Sequence, residues 1–305
     1  MTCTDLEPRV DAGDTVCGND PRDPHDLSRR DFVRAAVGSG FAAAVLPVTA
    51  QTVKTDTAGL TAGEVTIAVG DFKMPAYRAM PASAAAGTLP VVLVVSEIFG
   101  VHEHIADVAR RFAKLGYLAI APELFVRQGD AQAYGEISKL VSEVIGKVPD
   151  AQVMGDLDAT VAWARANGGD TGRLAVTGFC WGGRITWLYS AHNPLVKAGV
   201  AWYGQMIGVP NPLKPTNPID RVGQLKAPVL GLYGDQDTGI PVAAVDQMKA
   251  ALSASGNRAA QQSQFVVYPG APHAFHADYR PSYQRDAAED GWKRCVAWMK
   301  VHGAA

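Results

Sequence analysis

The sequence predicts an α/β fold built on a doubly wound, mostly parallel sheet with helices on both faces. Three observations carry that expectation. Pro90-Val91-Val92-Leu93-Val94-Val95 is an unbroken, largely β-branched run, the pattern of a strand buried on both faces of a parallel sheet. Strand-like runs then alternate with helical periodicity along the rest of the chain. One of those strands, ending in Val176-Thr177, feeds a turn flanked by Gly178, Gly182 and Gly183, whose missing Cβ atoms let strand and helix approach closely.

Taken in order, residues 65–69 and a piece near 76–78 alternate like edge strands of an antiparallel start. The buried run at 90–95 is followed by helical periodicity at 105–115 and a strand at 117–121. Helical patterns come next at 131–145 and 151–167, then a strand at 174–177, the glycine turn and its helix. Three more strands, 198–202, 229–233 and 265–268, precede a closing helix over 287–301. The connection at 205–224 is longer than usual and carries Pro210, Pro212, Pro215 and Pro218. A loop of that length is either a wall over a functional site or a proline-stiffened surface segment.

The N-terminus reads as a targeting segment. Ser28-Arg29-Arg30-Asp31-Phe32-Val33-Arg34 precedes an apolar, small-residue run at 35–46, and Val48-Thr49-Ala50 offers an A-x-A-like cleavage site. That combination predicts a twin-arginine export signal, with the export machinery as a partner and a periplasmic or extracellular destination. The apolar run contains Gly38, Ser39 and Gly40 and is short for a bilayer span, which argues against an anchor. We therefore divide the chain into a leader at 1–50, disordered at its start, and one α/β domain at 51–305, with no membrane association after processing. The leader holds five of the 28 Lys and Arg and eight of the 30 Asp and Glu, leaving 23 basic and 22 acidic side chains. Such a balance gives no footprint for nucleic acid or for an anionic membrane surface. Cys3 and Cys17 leave with the leader, so Cys180 and Cys295 remain, too few for a disulfide framework. Cys295 falls on the apolar stripe of the closing helix and reads as a core residue.

Cys180 is different. Gly178-Phe179-Cys180-Trp181-Gly182 has the Gly-x-nucleophile-x-Gly form of the elbow in the α/β-hydrolase fold, where the nucleophile sits on a strained strand-to-helix turn above the sheet. The bland alternative is a small buried cysteine in a glycine-rich turn. In that fold an acid and a histidine follow the nucleophile in chain order, each after a later strand. Gly234-Asp235-Gln236-Asp237 follows the strand at 229–233, and Pro269-Gly270-Ala271-Pro272-His273 follows the strand at 265–268. Asp237 is the expected acid, with Asp235 shaping the turn, and His273 the expected base, with His276 a wall or surface residue. Glu97, directly after the first buried parallel strand, needs a partner or a task to be tolerated there. The backbone amides of Ile98 and Trp181 are the expected oxyanion donors. The clusters His102-Glu103-His104 and His273, His276, Asp278 lack the helical spacing of a metal site, so no metal is expected.

With Ser96-Glu97-Ile98-Phe99-Gly100, Gly178-Phe179-Cys180-Trp181-Gly182-Gly183, the Asp237 loop and Pro272-His273-Ala274-Phe275, the sequence after the leader resembles the dienelactone hydrolase (carboxymethylenebutenolidase) family. The resemblance implies a Cys180, His273, Asp237 triad and a Glu97 that takes the thiol proton when substrate swings the cysteine into its reactive pose. It also implies hydrolysis of a small ester or lactone through an acyl-thioester, without metal or organic cofactor. Family members acting on dienelactone hold its carboxylate with arginines. Here Arg127 is a loose candidate for one, and Arg280 lies further from His273 than the pattern places the other. Two readings from other classes stand beside the hydrolase: a redox-responsive thiol protein and a binding member that lost the chemistry.

Overall fold

The computed structural model describes residues 52–85 and 87–305, so the predicted leader and its cleavage site lie outside the described residues. The uniformly apolar run at 90–95 lies within β3 (Leu89–Val95), all seven residues of which are buried. Its alternate side chains feed opposite layers. Val92 and Val94 pack with residues of α1 (Glu103–Lys114) and α7 (Arg285–Val301), while Val91, Leu93 and Val95 pack with residues of α3 (Asp150–Ala166) and α4 (Trp181–His192). A strand sandwiched in this way has no solvated face, hence the absence of alternation in its sequence.

Eight strands form one sheet in the order β1-β2-β4-β3-β5-β6-β7-β8. β1 (Leu60–Val69) and β2 (Phe72–Pro81) make the antiparallel start, and β2 also runs antiparallel to β4 (Leu118–Pro122). The remaining pairings, through β5 (Gly169–Phe179), β6 (Val196–Trp202), β7 (Val229–Gly234) and β8 (Gln264–Tyr268), are parallel. Register places the site. Val95 pairs with Gly178, Phe179 with Trp202 and Gly234 with Tyr268, so the loops after β3, β5, β6, β7 and β8 leave from one edge of the sheet. That edge, the carboxyl ends of the parallel strands, is where ligands bind in folds of this kind.

Two expectations about helices needed correction. The helical pattern at 131–145 is broken into a 3₁₀ turn at Ala131–Ala133, a short α2 (Ile137–Glu143) and a second 3₁₀ turn at Ile145–Lys147. Gly135 separates the first two pieces, and at Gly146 a Cβ would stand 2.8 Å from the Val141 carbonyl oxygen. Helices α5 (Val242–Ala254) and α6 (Arg258–Gln262) were not anticipated; α5 starts directly after Pro241, whose fixed φ suits a helix entrance. The proline-rich connection is tied down rather than loose. The Asp150 N–H donates to the Leu213 carbonyl at 2.8 Å, and Arg184 of α4 grips both oxygens of Asp150 at 2.7 and 2.8 Å and the Thr216 carbonyl at 2.9 Å. None of the described helices is long and apolar enough to cross a membrane.

Candidate active site

Cys180 stands between β5 and α4 with φ 56° and ψ −113°, outside the regions an L-residue adopts without strain. Its backbone is fixed from both directions: its N–H donates to the Trp202 carbonyl at 3.0 Å, and its carbonyl accepts from the Gly183 N–H at 3.0 Å. The flanking glycines allow this by close approach. A Cβ on Gly182 would stand 2.3 Å from the Val95 oxygen, and one on Gly183 2.5 Å from the Trp202 oxygen. Backbone contact on both sides of the elbow therefore clamps the ends of β3 and β6 against it. Trp181 is the first residue of α4, so its N–H is one of the free donors at a helix start, where the helix dipole favours negative charge. Among the described residues, neither the Trp181 nor the Ile98 backbone N–H donates to a protein acceptor.

The acid and histidine loops converge on the same edge. His273 Nδ1 donates to Asp237 Oδ2 at 2.6 Å. Asp237 is buried, and its second oxygen accepts from the Gly239 and Ile240 N–H groups at 2.9 and 3.0 Å, which fixes the carboxylate before it meets the imidazole. Asp235 is exposed and accepts from the Gly270 N–H at 2.7 Å, the turn-shaping task expected of it. Burial works against a charge on His273, but hydrogen bonding to Asp237 and interaction with the Cys180 thiol outweigh it and hold the imidazolium up to about 10. The Tyr203 ring stands edge-on to His273 with centroids 5.1 Å apart, and Tyr203 has φ 37°, a second strained residue beside the elbow.

Glu97 is 1% exposed. The Tyr279 hydroxyl donates to its Oε2 at 2.5 Å, and His102 Nε2 stands 3.7 Å from the same oxygen. His102 lies just before α1, and His104 within α1 pairs with Asp278 at 2.9 Å, so the His102-Glu103-His104 run opens a helix. Of the two alternatives for His276, the surface one is contradicted: it is 2% exposed, packed against the rings of Phe179 and Trp202 with centroids 5.0 and 4.4 Å away. Its burial, with His104 and Arg111 nearby, pushes its pKa well below that of a free imidazole. A buried neutral histidine wrapped in aromatic rings belongs to the core.

Residues 74–303 match the model of the dienelactone hydrolase family. The chain belongs to that family. A protein of Methylorubrum extorquens provisionally named a carboxymethylenebutenolidase is 60% identical over 281 residues, covering 92% of this chain and 94% of its own. An Escherichia coli protein of the same provisional name is 52% identical, covering 87% of this chain and 96% of its own. Among solved structures, a provisionally assigned dienelactone hydrolase of Klebsiella pneumoniae superposes with a TM-score of 0.76 at 54% identity, over 79% of this chain and 98% of that one. The protein is thus an α/β-hydrolase of the dienelactone hydrolase type, an enzyme acting on carboxylic esters or lactones.

Within that family setting, the arginine candidates separate. Arg127 is committed to Asp156 through two hydrogen bonds, at 2.5 and 2.8 Å, and its guanidinium stacks 4.1 Å over the Phe72 ring. Arg280 instead lies over Phe99, 5.7 Å from the ring centroid, and makes no ion pair among the described residues. Two site neighbours escaped the sequence reading, Tyr203 and Tyr279, and His102 was weighed there only as a metal ligand. Tyr203 directly follows β6 at the sheet edge already singled out, a signal that was available; Tyr279, in an irregular loop, gave none.

Proposed function

We propose that this protein opens a small ester or lactone through an acyl-thioester on Cys180 and is exported by the twin-arginine route. The observation that carries the first part is Cys180 on a strained turn, interacting with an imidazolium that Asp237 fixes at 2.6 Å. In the first step Sγ, as thiolate, adds to the carbonyl carbon, and the carbonyl oxygen gathers negative charge beside the Ile98 and Trp181 amides. The tetrahedral adduct collapses by breaking the bond from carbon to ester or ring oxygen, and that oxygen takes the proton held by His273. A water then adds to the thioester with His273 as base, releasing the acid and the free thiol. Each oxyanion donor is worth about 3 kcal/mol of barrier in such a site. The interaction between His273 and Cys180 supports His273 as the immediate proton acceptor, while Glu97 is engaged by Tyr279. Cys295, fully buried with its thiol pushed up by that burial, is a poor resolving partner, which favours the hydrolase over the redox reading.

The test is steady-state turnover of wild type and Cys180→Ser on p-nitrophenyl esters, simple lactones and dienelactone, with mass spectrometry of quenched wild type. We expect an acyl adduct on Cys180 and about a thousandfold loss in the variant. Full turnover by Cys180→Ser would overturn the thioester mechanism. Cell fractionation of the full chain and of Arg29→Lys/Arg30→Lys tests export: the double variant should be retained inside, and equal distribution of the two would remove the twin-arginine assignment.

A further inference from the structure

Tyr203, the residue directly after β6, has φ 37°, a conformation that a bulky side chain adopts only where its surroundings impose it. Here they do. Its N–H donates to the Leu232 carbonyl at 2.8 Å, and the carbonyl of Trp202 just before it accepts from the Cys180 N–H at 3.0 Å. Just after it, Gly204 lies so close to the elbow that a Cβ there would stand 2.2 Å from the Gly183 carbonyl carbon, and the Gly204 carbonyl accepts from the Tyr233 hydroxyl at 2.8 Å. What this held strain achieves is the direction of the side chain. The Tyr203 ring stands edge-on to His273 at 5.1 Å between centroids, edge-on to Phe275 at 5.3 Å and tilted against Phe179 at 6.3 Å. Phe275 is fully buried two residues after His273, and Phe179 directly precedes Cys180, so the histidine loop and the elbow both brace the ring.

His273 needs a support of this kind. Asp237 fixes it at one point, through Nδ1 at 2.6 Å, and an imidazole held at one point can still turn about that bond. Its other interaction, with the Cys180 thiol, is given up when the proton passes to the leaving oxygen. The His273 side chain is 35% exposed, and Tyr203 carries the one aromatic ring packed against it among the described residues. We propose that Tyr203 is a positioning residue for His273: its ring blocks the swing of the imidazole about the Asp237 hydrogen bond and keeps Nε2 facing both Cys180 and the leaving oxygen. This rests on the hydrolase reading above. Proton transfer makes the demand severe, since a displacement of about 1 Å costs about a hundredfold in rate. The ring carries the role and the hydroxyl does not. That hydroxyl is buried with no hydrogen-bond partner among the described residues, so Tyr203→Phe keeps the support and sheds a polar group that burial penalises.

The experiment measures kcat/KM of wild type, Tyr203→Phe, Tyr203→Leu and Tyr203→Gly on ethyl acetate and p-nitrophenyl acetate, with urea denaturation of each protein. The two esters share an acyl group and differ in the leaving oxygen: ethoxide must be protonated as it departs, whereas p-nitrophenolate, a much weaker base, leaves without that help. A misplaced imidazolium therefore penalises ethyl acetate more. Tyr203→Leu should lose about a hundredfold on ethyl acetate and less than about tenfold on p-nitrophenyl acetate. Tyr203→Phe should stay within about twofold of wild type on both esters and be at least as stable. Tyr203→Gly, whose backbone takes φ 37° without strain, should repeat the unequal loss; it separates ring from backbone and serves if Tyr203→Leu does not fold. Equal losses on the two esters overturn the proposal, because a general loosening of the site lowers both alike, and so does wild-type kcat/KM in Tyr203→Leu or Tyr203→Gly. Impairment of Tyr203→Phe to the level of Tyr203→Leu also overturns it, by moving the role to the hydroxyl. Full activity of Cys180→Ser would instead remove the hydrolase reading itself, so the two failures are distinct.

Discussion

Two buried aspartates each hold a histidine at this end of the molecule, and their fates differ. Asp237 binds His273 at 2.6 Å and Asp278 binds His104 at 2.9 Å, both through Nδ1. The His273 side chain is 35% exposed and interacts with Cys180, while that of His104 is 2% exposed and its Nε2 has no hydrogen-bond partner among the described residues. Asp278 is completed by Arg111 at 3.0 Å and by the Val53 N–H at 2.9 Å, Asp237 by two amides of its own loop. A hydrogen-bonded His–Asp pair is therefore a structural unit in itself. It becomes a candidate for chemistry only where a nucleophile and solvent reach the imidazole.

The contrast can be broken most severely at Asp237. Asp237→Asn should lower kcat/KM by about 10³–10⁴-fold, by analogy with other triads in which the wrong imidazole tautomer is stabilised. Steady-state kinetics checks it, and a loss under tenfold would deny Asp237 its role. Asp278→Asn should leave kcat/KM within about tenfold yet destabilise the fold by about 1–3 kcal/mol, the penalty of weakening hydrogen bonds to a buried charge. The pH dependence has a definite sign. Burial pushes the Asp278 carboxyl up, but His104, the Val53 amide and Arg111 bring it down to about 2, below the roughly 3.9 of an unfolded aspartate. Its contribution is thus fully present above about pH 4 and is lost as pH falls through about 2. Urea denaturation of wild type and variant should show a gap at pH 6 that narrows at pH 3. Smallest of all is the effect at His192, whose pairing with Asp158 at 2.8 Å is about 40% exposed on both partners. His192→Gln should change stability by less than about 0.5 kcal/mol in the same experiment.

Most of the sheet was legible because burial on two faces forces an unmistakable composition, as in β3, and because the elbow needs its glycines wherever backbones touch. Asp237 and His273 were legible from chain order after β7 and β8. What escaped depends on contacts that no local pattern encodes. Tyr279 meets Glu97 across 182 positions of sequence. His276, three residues after His273, looked like part of the same loop surface, but the rings of Phe179 and Trp202 enclose it. The break in the 131–145 helix had a visible cause in Gly135 and Gly146, outweighed in the sequence reading by apolar periodicity. The parts of Arg127 and Arg280 could be separated only once the Asp156 carboxylate was seen to occupy the first of them.

The segment that leads into β1 has a consequence for the order of assembly. The Val53 N–H reaches Asp278, the Thr55 N–H reaches Asp107 at 2.5 Å, the Thr55 carbonyl accepts from Arg110 Nε at 2.8 Å, and Lys114 bonds Asp56 at 2.6 Å. The Val53 contact joins groups 225 positions apart. Contacts at such separation form late, after the chain between them has ordered. Ribosomal synthesis therefore delivers the first strand long before its last fastening exists, and the seam around Asp278 can close only when nearly the whole chain has emerged.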